Sequence, residues 1–292
     1  MTAERITLKL DDGQMAGWRW ARAGAPRLLF AHANGFNAYT YRQMFDALSA
    51  MRDVEIIAID LRGHGRTTLP ADPATMTGWQ VYADDLTKVI DQLGDPPLTL
   101  AGHSLGGASL ILAAARLDAP LNVLAIDPVL LPAVVYAIAR SPLHPIMRER
   151  LSLVRQARSR RDRWSSREAV LSAYSAKSMF SVWADKVLED YLQDGLIESE
   201  SGVRLACSPD WEAANFGEQT HHMWRAVETV GSRLHVLKAG RGSTVMRPGK
   251  LRRSGALLDI WPQDGHLLAM EKPEAAARWI SSKLDTLDAP PA

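Results

Sequence analysis

Residues 98–107 read Leu98-Thr99-Leu100-Ala101-Gly102-His103-Ser104-Leu105-Gly106-Gly107, a short apolar run that passes through a glycine-flanked serine into a helical pattern. The spacing predicts a strand over 98–101 and a helix over 105–117. A strand that turns at once into a helix holds its central residue in a strained backbone. Side chains two positions before and after it would meet neighbouring backbone, which glycine avoids. The turn lifts the Ser104 hydroxyl above the carboxyl edge of a sheet. It also places the Leu105 amide at a helix N-terminus, where it can donate to an oxyanion. Gly-x-Ser-x-Gly alone arises often by chance; the strand before it and the helix after it make Ser104 a candidate nucleophile.

Working outward, short apolar runs alternate with helical patterns, the mark of a mainly parallel sheet. Residues 6–10 and 15–22 flank Asp11-Asp12-Gly13 and read as an opening hairpin. Residues 27–31, 54–59 and 122–126 are brief and apolar, as strands buried on both faces should be, and 233–238 and 256–260 read as two more. Helices are expected over 39–51, 78–93 and 105–117, with a closing helix from Pro273. The stretch from 131 to 230 breaks the rhythm, with helical periodicity (165–174 and 179–192 read as amphipathic helices) and no clear strand alternation. So long an insertion is not a structureless loop. It reads as a helical lid, dividing the chain into a core of 1–130 and 231–292 and a cap of 131–230. A short Asp-Ala-Pro-Pro-Ala tail ends the sequence.

A nucleophilic serine needs oxyanion donors and a base. After the 27–31 strand comes His32-Ala33-Asn34-Gly35-Phe36, whose Asn34 can offer its backbone N–H beside that of Leu105; His32 reads as a structural residue leading this loop. Of the eight histidines, His266 is best placed as base. It ends Gln263-Asp264-Gly265-His266, between the last strand and the last helix. His64, in Asp60-Leu61-Arg62-Gly63-His64-Gly65, is expected to brace the site, and His103 to point away from the nucleophile.

Taken together, the motifs at 32–36, 60–65, 102–106 and 265–266, the last followed by Met270-Glu271-Lys272-Pro273, resemble the α/β-hydrolase superfamily. The likeness covers the first 130 residues and the final stretch and leaves the lid without a named motif. It implies an α/β fold with a mostly parallel eight-stranded sheet flanked by helices and an inserted helical cap. It also implies that Ser104 attacks an acyl carbon, that His266 takes and returns the proton, and that water cleaves the acyl-enzyme. Serine at 104 argues against the dehalogenase and epoxide-hydrolase branches, which carry aspartate there.

Many members place an acid after the seventh strand in a Gly-x-x-Asp setting. Here that place reads Gly240-Arg241-Gly242-Ser243, and something else must orient His266. Asp127, at the carboxyl end of the 122–126 strand beside the one carrying Ser104, is the candidate acid; its other reading is a cap on the following turn. Asp60 more often braces the 62–65 loop, Asp264 is poorly angled, Ser243 carries no charge, and a Ser–His dyad is the residual arrangement.

The 292 residues carry a net charge of +1 and are 47% hydrophobic. That balance points to an ordinary globular protein without a nucleic-acid or polyanion partner. One cysteine, Cys207, leaves no disulfide framework and no Cys-rich metal site. No cofactor or metal is expected. The start lacks an apolar signal region and no run is long enough to span a membrane, so the expectation is a cytoplasmic protein acting on a small molecule, with a homodimer left open. Residues 148–163 hold seven arginines. They read as a solvated face paired with acids rather than a contact for anionic head groups. The lid residues Trp164, Trp183, Trp211, Trp224, Met179, Phe180 and Met223 wall an acyl pocket or, the preferred reading, form the lid's own core. The leading function is hydrolysis of a carboxylic ester of a small or medium hydrophobic substrate, carboxylesterase-like or lipase-like. Its rivals are a carbon–carbon or amide hydrolase, and a binding protein that keeps the pocket without turnover.

Overall fold

In the computed structural model, which describes residues 3–94 and 98–288, eleven strands form two sheets. The strands are β1 (Glu4–Leu10), β2 (Gly13–Trp20), β3 (Arg27–Ala31), β4 (Glu55–Ile59), β5 (Leu98–His103), β6 (Asn122–Ile126), β7 (Arg163–Trp164), β8 (Leu196–Ser199), β9 (Gly202–Leu205), β10 (Leu234–Arg241) and β11 (Leu257–Gly265). Eight of them form the main sheet in the order β1-β2-β4-β3-β5-β6-β10-β11. The hairpin β1–β2 is antiparallel, with Leu10 opposite Gly13, and β2 runs antiparallel to β4. From β4 to β11 every pairing is parallel. Beyond its first residue, the Asp-Ala-Pro-Pro-Ala tail lies outside the described residues.

The two-residue period of the central strands sorts their side chains onto two buried layers. Leu28, Phe30, Ile56, Ala58, Leu124 and Ile126 pack with Met44, Phe45 and Leu48 of helix Arg42–Met51 and with Ala276 and Ile280 of helix Pro273–Asp288. Leu29, Ala31, Ile57, Ile59, Leu100, Val123 and Ala125 pack with helices Gln80–Leu93, Leu105–Ala114 and Met223–Val230. Because both faces are covered, the parallel strands read as unbroken apolar runs. Helix Leu105–Ala114 is buried along its whole length, which suits a segment with no polar face.

The chain between β6 and β10 holds helices Ala133–Ala139, His144–Arg148, Ser152–Arg158, Arg167–Ser175, Val187–Gly195, Pro209–Gly217 and Met223–Val230. It also holds a small sheet in the order β7-β9-β8, where the sequence suggested helices only. Strands of two and four residues are too short for alternation to register against a helical background. The turn between β8 and β9 closes on Gly202, whose φ of 124° suits glycine alone. Residues 179–186, expected in a helix, form turns that end at Lys186 in the left-handed region, and the helix starts at Val187. Trp164, Tyr174, Phe180, Trp183 and Tyr191 share a buried cluster with Phe30 and Tyr41 of the core. Met223 and Trp224 instead pack on the opposite layer. Among the described residues, no helix is long and apolar enough to cross a membrane.

Candidate active site

Ser104 sits between β5 and helix Leu105–Ala114 with φ 54° and ψ −117°, a conformation that L-residues adopt only where surrounding structure enforces it. The enforcement is visible at the flanking glycines. A Cβ on Gly102 would lie 2.7 Å from the Gly107 nitrogen, and one on Gly106 would lie 2.2 Å from the Ala31 carbonyl oxygen. β5 and its helix therefore meet at a distance that only glycine permits. The Ser104 amide donates to the Ile126 carbonyl at 3.0 Å, tying the turn to the tip of β6.

β11 runs to Gly265, so His266 emerges at the same sheet edge. Its Nε2 lies 3.0 Å from Ser104 Oγ, and its Nδ1 lies 2.6 Å from Asp127 Oδ2. A carboxylate only accepts, so Nδ1–H donates to Asp127 and the bare Nε2 accepts from the Ser104 hydroxyl. Asp127 follows β6 with φ 39° and is fully buried. Its Oδ1 accepts from Ser243 Oγ at 2.6 Å and from the Ala239 amide at 2.9 Å, and its Oδ2 also accepts from the Thr244 amide at 3.1 Å. Burial pushes this carboxyl upward. The bond and charge of His266, with those of Ser243 and Ala239, outweigh it and hold the group below the usual carboxylate range.

Ser243 thus braces Asp127 rather than touching the imidazole. Asp264 pairs with Lys272. Asp60 accepts from the Ala38 amide at 2.8 Å and the Arg66 amide at 2.9 Å, and burial, with Asp194 nearby, pushes it up to about 7.

The loop after β3 is fixed almost atom by atom. His32 Nδ1–H donates to the Ala33 carbonyl at 2.7 Å, and its Nε2 accepts from the Leu61 amide at 2.9 Å. His64 Nδ1–H donates to the Arg62 carbonyl at 3.0 Å, and its Nε2 accepts from the Gly35 amide at 3.0 Å. Burial drives His32 well below the ordinary histidine range and His64 down to about 4, so both stay neutral acceptors. The Asn34 amide is left without a partner among the described residues, flanked by amides that are engaged. The Leu105 amide opens its helix, where intrahelical acceptors are lacking.

Two supports were not legible in the sequence. His103 points away from Ser104 as expected, but its Nε2–H donates to the His266 carbonyl at 2.8 Å. Its Nδ1 accepts from Tyr41 Oη at 2.7 Å, and that hydroxyl accepts from the Ala33 amide at 3.1 Å. A single chain of hydrogen bonds therefore joins the Asn34 loop to the backbone of His266. Asn34 is also clamped from helix Pro209–Gly217: its Nδ2 donates to the Glu212 carbonyl at 3.1 Å, and its Oδ1 accepts from Asn215 Nδ2 at 3.0 Å. Asn215 in turn accepts from Tyr82 Oη at 2.8 Å and, on its carbonyl, from Trp79 Nε1 at 3.1 Å. No motif announces these partners, which lie more than 130 residues apart in the chain.

Trp211 is buried in the same interface, donating from Nε1 to the Arg62 carbonyl at 3.0 Å, and Trp224 donates to Leu131 at 2.8 Å. Phe36 packs on Trp183 and Tyr191 with ring centroids 5.7 and 5.5 Å away. Met179 is exposed. Of the arginine-rich stretch, Arg148 pairs with Glu218, Arg158 with Glu149 and Arg160 with Glu212. Cys207 is buried, which pushes its thiol well above the usual range.

A family model described as "Alpha/beta hydrolase family" matches residues 28–279. Protein phosphatase methylesterase 1 of Mus musculus is 34% identical over 93 residues, 31% of this chain and 24% of that protein. The 2-(acetamidomethylene)succinate hydrolase of Mesorhizobium japonicum is 32% identical over 125 residues, 42% of each chain. The matches thus span between a quarter and two fifths of the length of these two relatives. A crystal structure of E-2-(acetamidomethylene)succinate hydrolase superposes with a TM-score of 0.73 at 20% identity, covering 97% of this chain and all of that one.

Proposed function

The chain belongs to the alpha/beta hydrolase family, and from that premise we propose that it is a serine hydrolase cleaving carboxylic esters through an acyl-enzyme on Ser104. The observation that carries the reading is the hydrogen-bonded series Ser104 Oγ, His266, Asp127 at 3.0 and 2.6 Å. In this mechanism Ser104 Oγ attacks the ester carbonyl as its proton passes to His266 Nε2. The tetrahedral oxyanion takes the amides of Asn34 and Leu105, and Asp127 steadies the imidazolium. Collapse breaks the C–O bond, and the departing alkoxide leaves as alcohol with the proton held by His266. Water then attacks the acyl carbon, giving its proton to His266, and the carboxylic acid departs as Ser104 recovers its own.

An uncharged, hydrophobic acyl or alcohol group is the preferred substrate in this reading, in keeping with Phe36 two residues beyond Asn34, which packs on Trp183 and Tyr191. The segment 131–230 acts in this reading as a lid over the sheet edge, and the protein works on small molecules in the cytoplasm. The test is a series of p-nitrophenyl esters of rising chain length, run beside labelling with a fluorophosphonate probe. Wild type is expected to hydrolyse short and medium esters and to label once. Ser104→Ala is expected to lose labelling and at least ~10⁴-fold in kcat. Silence across the ester series together with an unlabelled wild type would overturn the proposal.

A further inference from the structure

A cavity of about 100 Å³, lined by none of Ser104, His266 and Asp127, opens between helix Ala133–Ala139 and the start of helix Met223–Val230. His221 lines it. This residue is fully buried, yet neither ring nitrogen has a hydrogen-bond partner. It lies flat on Trp79 with centroids 4.9 Å apart and planes 17° apart, and Tyr136 meets it edge-on at 5.2 Å. The ring is thus held in place by stacking while its polar atoms go unmatched, which native interiors rarely tolerate without a ligand or water to supply the missing bonds.

Ala133, Tyr136, Met223 and Trp224 give the rest of the lining an apolar wall, and Arg140 and Arg225 supply its cations. Arg140 and Arg225 are exposed and, among the described residues, neither pairs with a carboxylate. Arg140 Nη1 donates to the Thr220 carbonyl at 3.3 Å and to His222 Nδ1 at 3.4 Å, which leaves most of its fork unused. The helix that begins at Met223 has no side-chain cap from His222. Its first amides lack acceptors, and the positive end of its dipole faces the cavity mouth.

We propose that this cavity binds a phosphate-type oxyanion, at a site separate from Ser104. The donors explain the preference. Two guanidinium forks, the leading amides of an eight-residue helix and an imidazole N–H outnumber what the two oxygens of a carboxylate can accept, whereas a tetrahedral oxyanion offers more. A neutral imidazole also carries one bare nitrogen, and a protonated phosphate oxygen supplies the donor that it lacks. Burial, with Arg140 nearby, pushes His221 down to about 3, so the ring is neutral at neutral pH.

Calorimetric titration with inorganic phosphate at neutral pH tests the site, with phenyl phosphate and acetate as parallel probes. Wild type is expected to bind phosphate saturably, and Arg140→Gln with Arg225→Gln to bind about tenfold more weakly or not at all. Both arginines are exposed, so this variant keeps its fold. His221→Phe, which preserves the stack on Trp79, is expected to weaken binding as well. Phenyl phosphate binding as well as phosphate marks a phosphomonoester as the ligand; its exclusion marks the free ion. Either result supports the site. Ser104→Ala should bind phosphate as wild type does. The proposal is overturned by an absence of saturable binding, by equal affinity in the arginine variant, by acetate binding as tightly as phosphate, or by loss of binding in Ser104→Ala.

Discussion

Ser243 and Asp127 divide between them a task that one carboxylate after β10 would otherwise perform. The loop after β10 supplies the Ser243 hydroxyl and the Thr244 amide, β10 itself supplies the Ala239 amide, and β6 supplies the charge. Exchanging Asp127 for asparagine tests the charge with little change of shape. An amide NH₂ facing His266 Nδ1 is a donor against a donor, so the imidazole turns to the tautomer that cannot take the Ser104 proton. Asp127→Asn is expected to lower kcat by about 10³- to 10⁴-fold with a melting temperature near that of wild type. Ser243→Ala removes one of the five hydrogen bonds to the carboxylate and should cost about ten- to hundredfold in kcat with KM little changed, since a bond to a charged group contributes about 1.5–3 kcal/mol. Ester kinetics on both variants checks the pair; a Ser243→Ala loss as deep as that of Asp127→Asn would show that the serine does more than brace.

Among elements, two junctions govern the site. The first is the crossing of β5, its helix and β3 at Gly106, where an added Cβ meets the Ala31 carbonyl rather than a yielding side chain. Gly106→Ala is expected to destabilise the protein by about 3 kcal/mol or more, or to prevent folding, as read by urea denaturation. A fully stable variant would contradict the geometry of the turn. The second junction is helix Pro209–Gly217 on the Asn34 loop. Asn215→Ala leaves Asn34 Oδ1 and the Tyr82 hydroxyl unmatched in a buried setting, at a cost of about 1–3 kcal/mol. If the loop supplies an oxyanion donor, its displacement lowers kcat about tenfold while KM moves less. An unchanged kcat beside a lowered melting temperature would make Asn215 structural alone.

Across the whole molecule, the sheet edge gathers buried titratable groups, and one of them sets a pH dependence of stability. Asp60 is pushed up to about 7 from an ordinary 3.8. Between those values the folded state keeps a proton that the unfolded chain has released, so this group's contribution is fully present below about pH 4 and is lost as pH rises through about 7. Asp60→Asn removes the titration, at a cost independent of pH because its NH₂ meets the Ala38 or the Arg66 amide. The test therefore lies in how the difference from wild type changes with pH. Urea midpoints should favour the variant progressively over wild type as pH rises from 5 to 8, and a difference independent of pH would count against a raised Asp60.

The apolar runs and the glycines around Ser104 settled the parallel sheet, the turn and the edge at which His266 emerges, because strand burial on both faces and steric exclusion at Gly102 and Gly106 are local properties that leave local marks. Asp127 comes from the resemblance instead: with serine at 243, where many family members carry the acid, the carboxylate at the tip of the neighbouring strand is the candidate. What the runs and glycines could not specify were the strands β7, β8 and β9, too short to show a period, and the partners Tyr41, His103 and Asn215. Those residues act through hydrogen bonds between segments far apart in sequence. Which donor meets which acceptor is fixed only when the layers close and every buried polar atom must find its match.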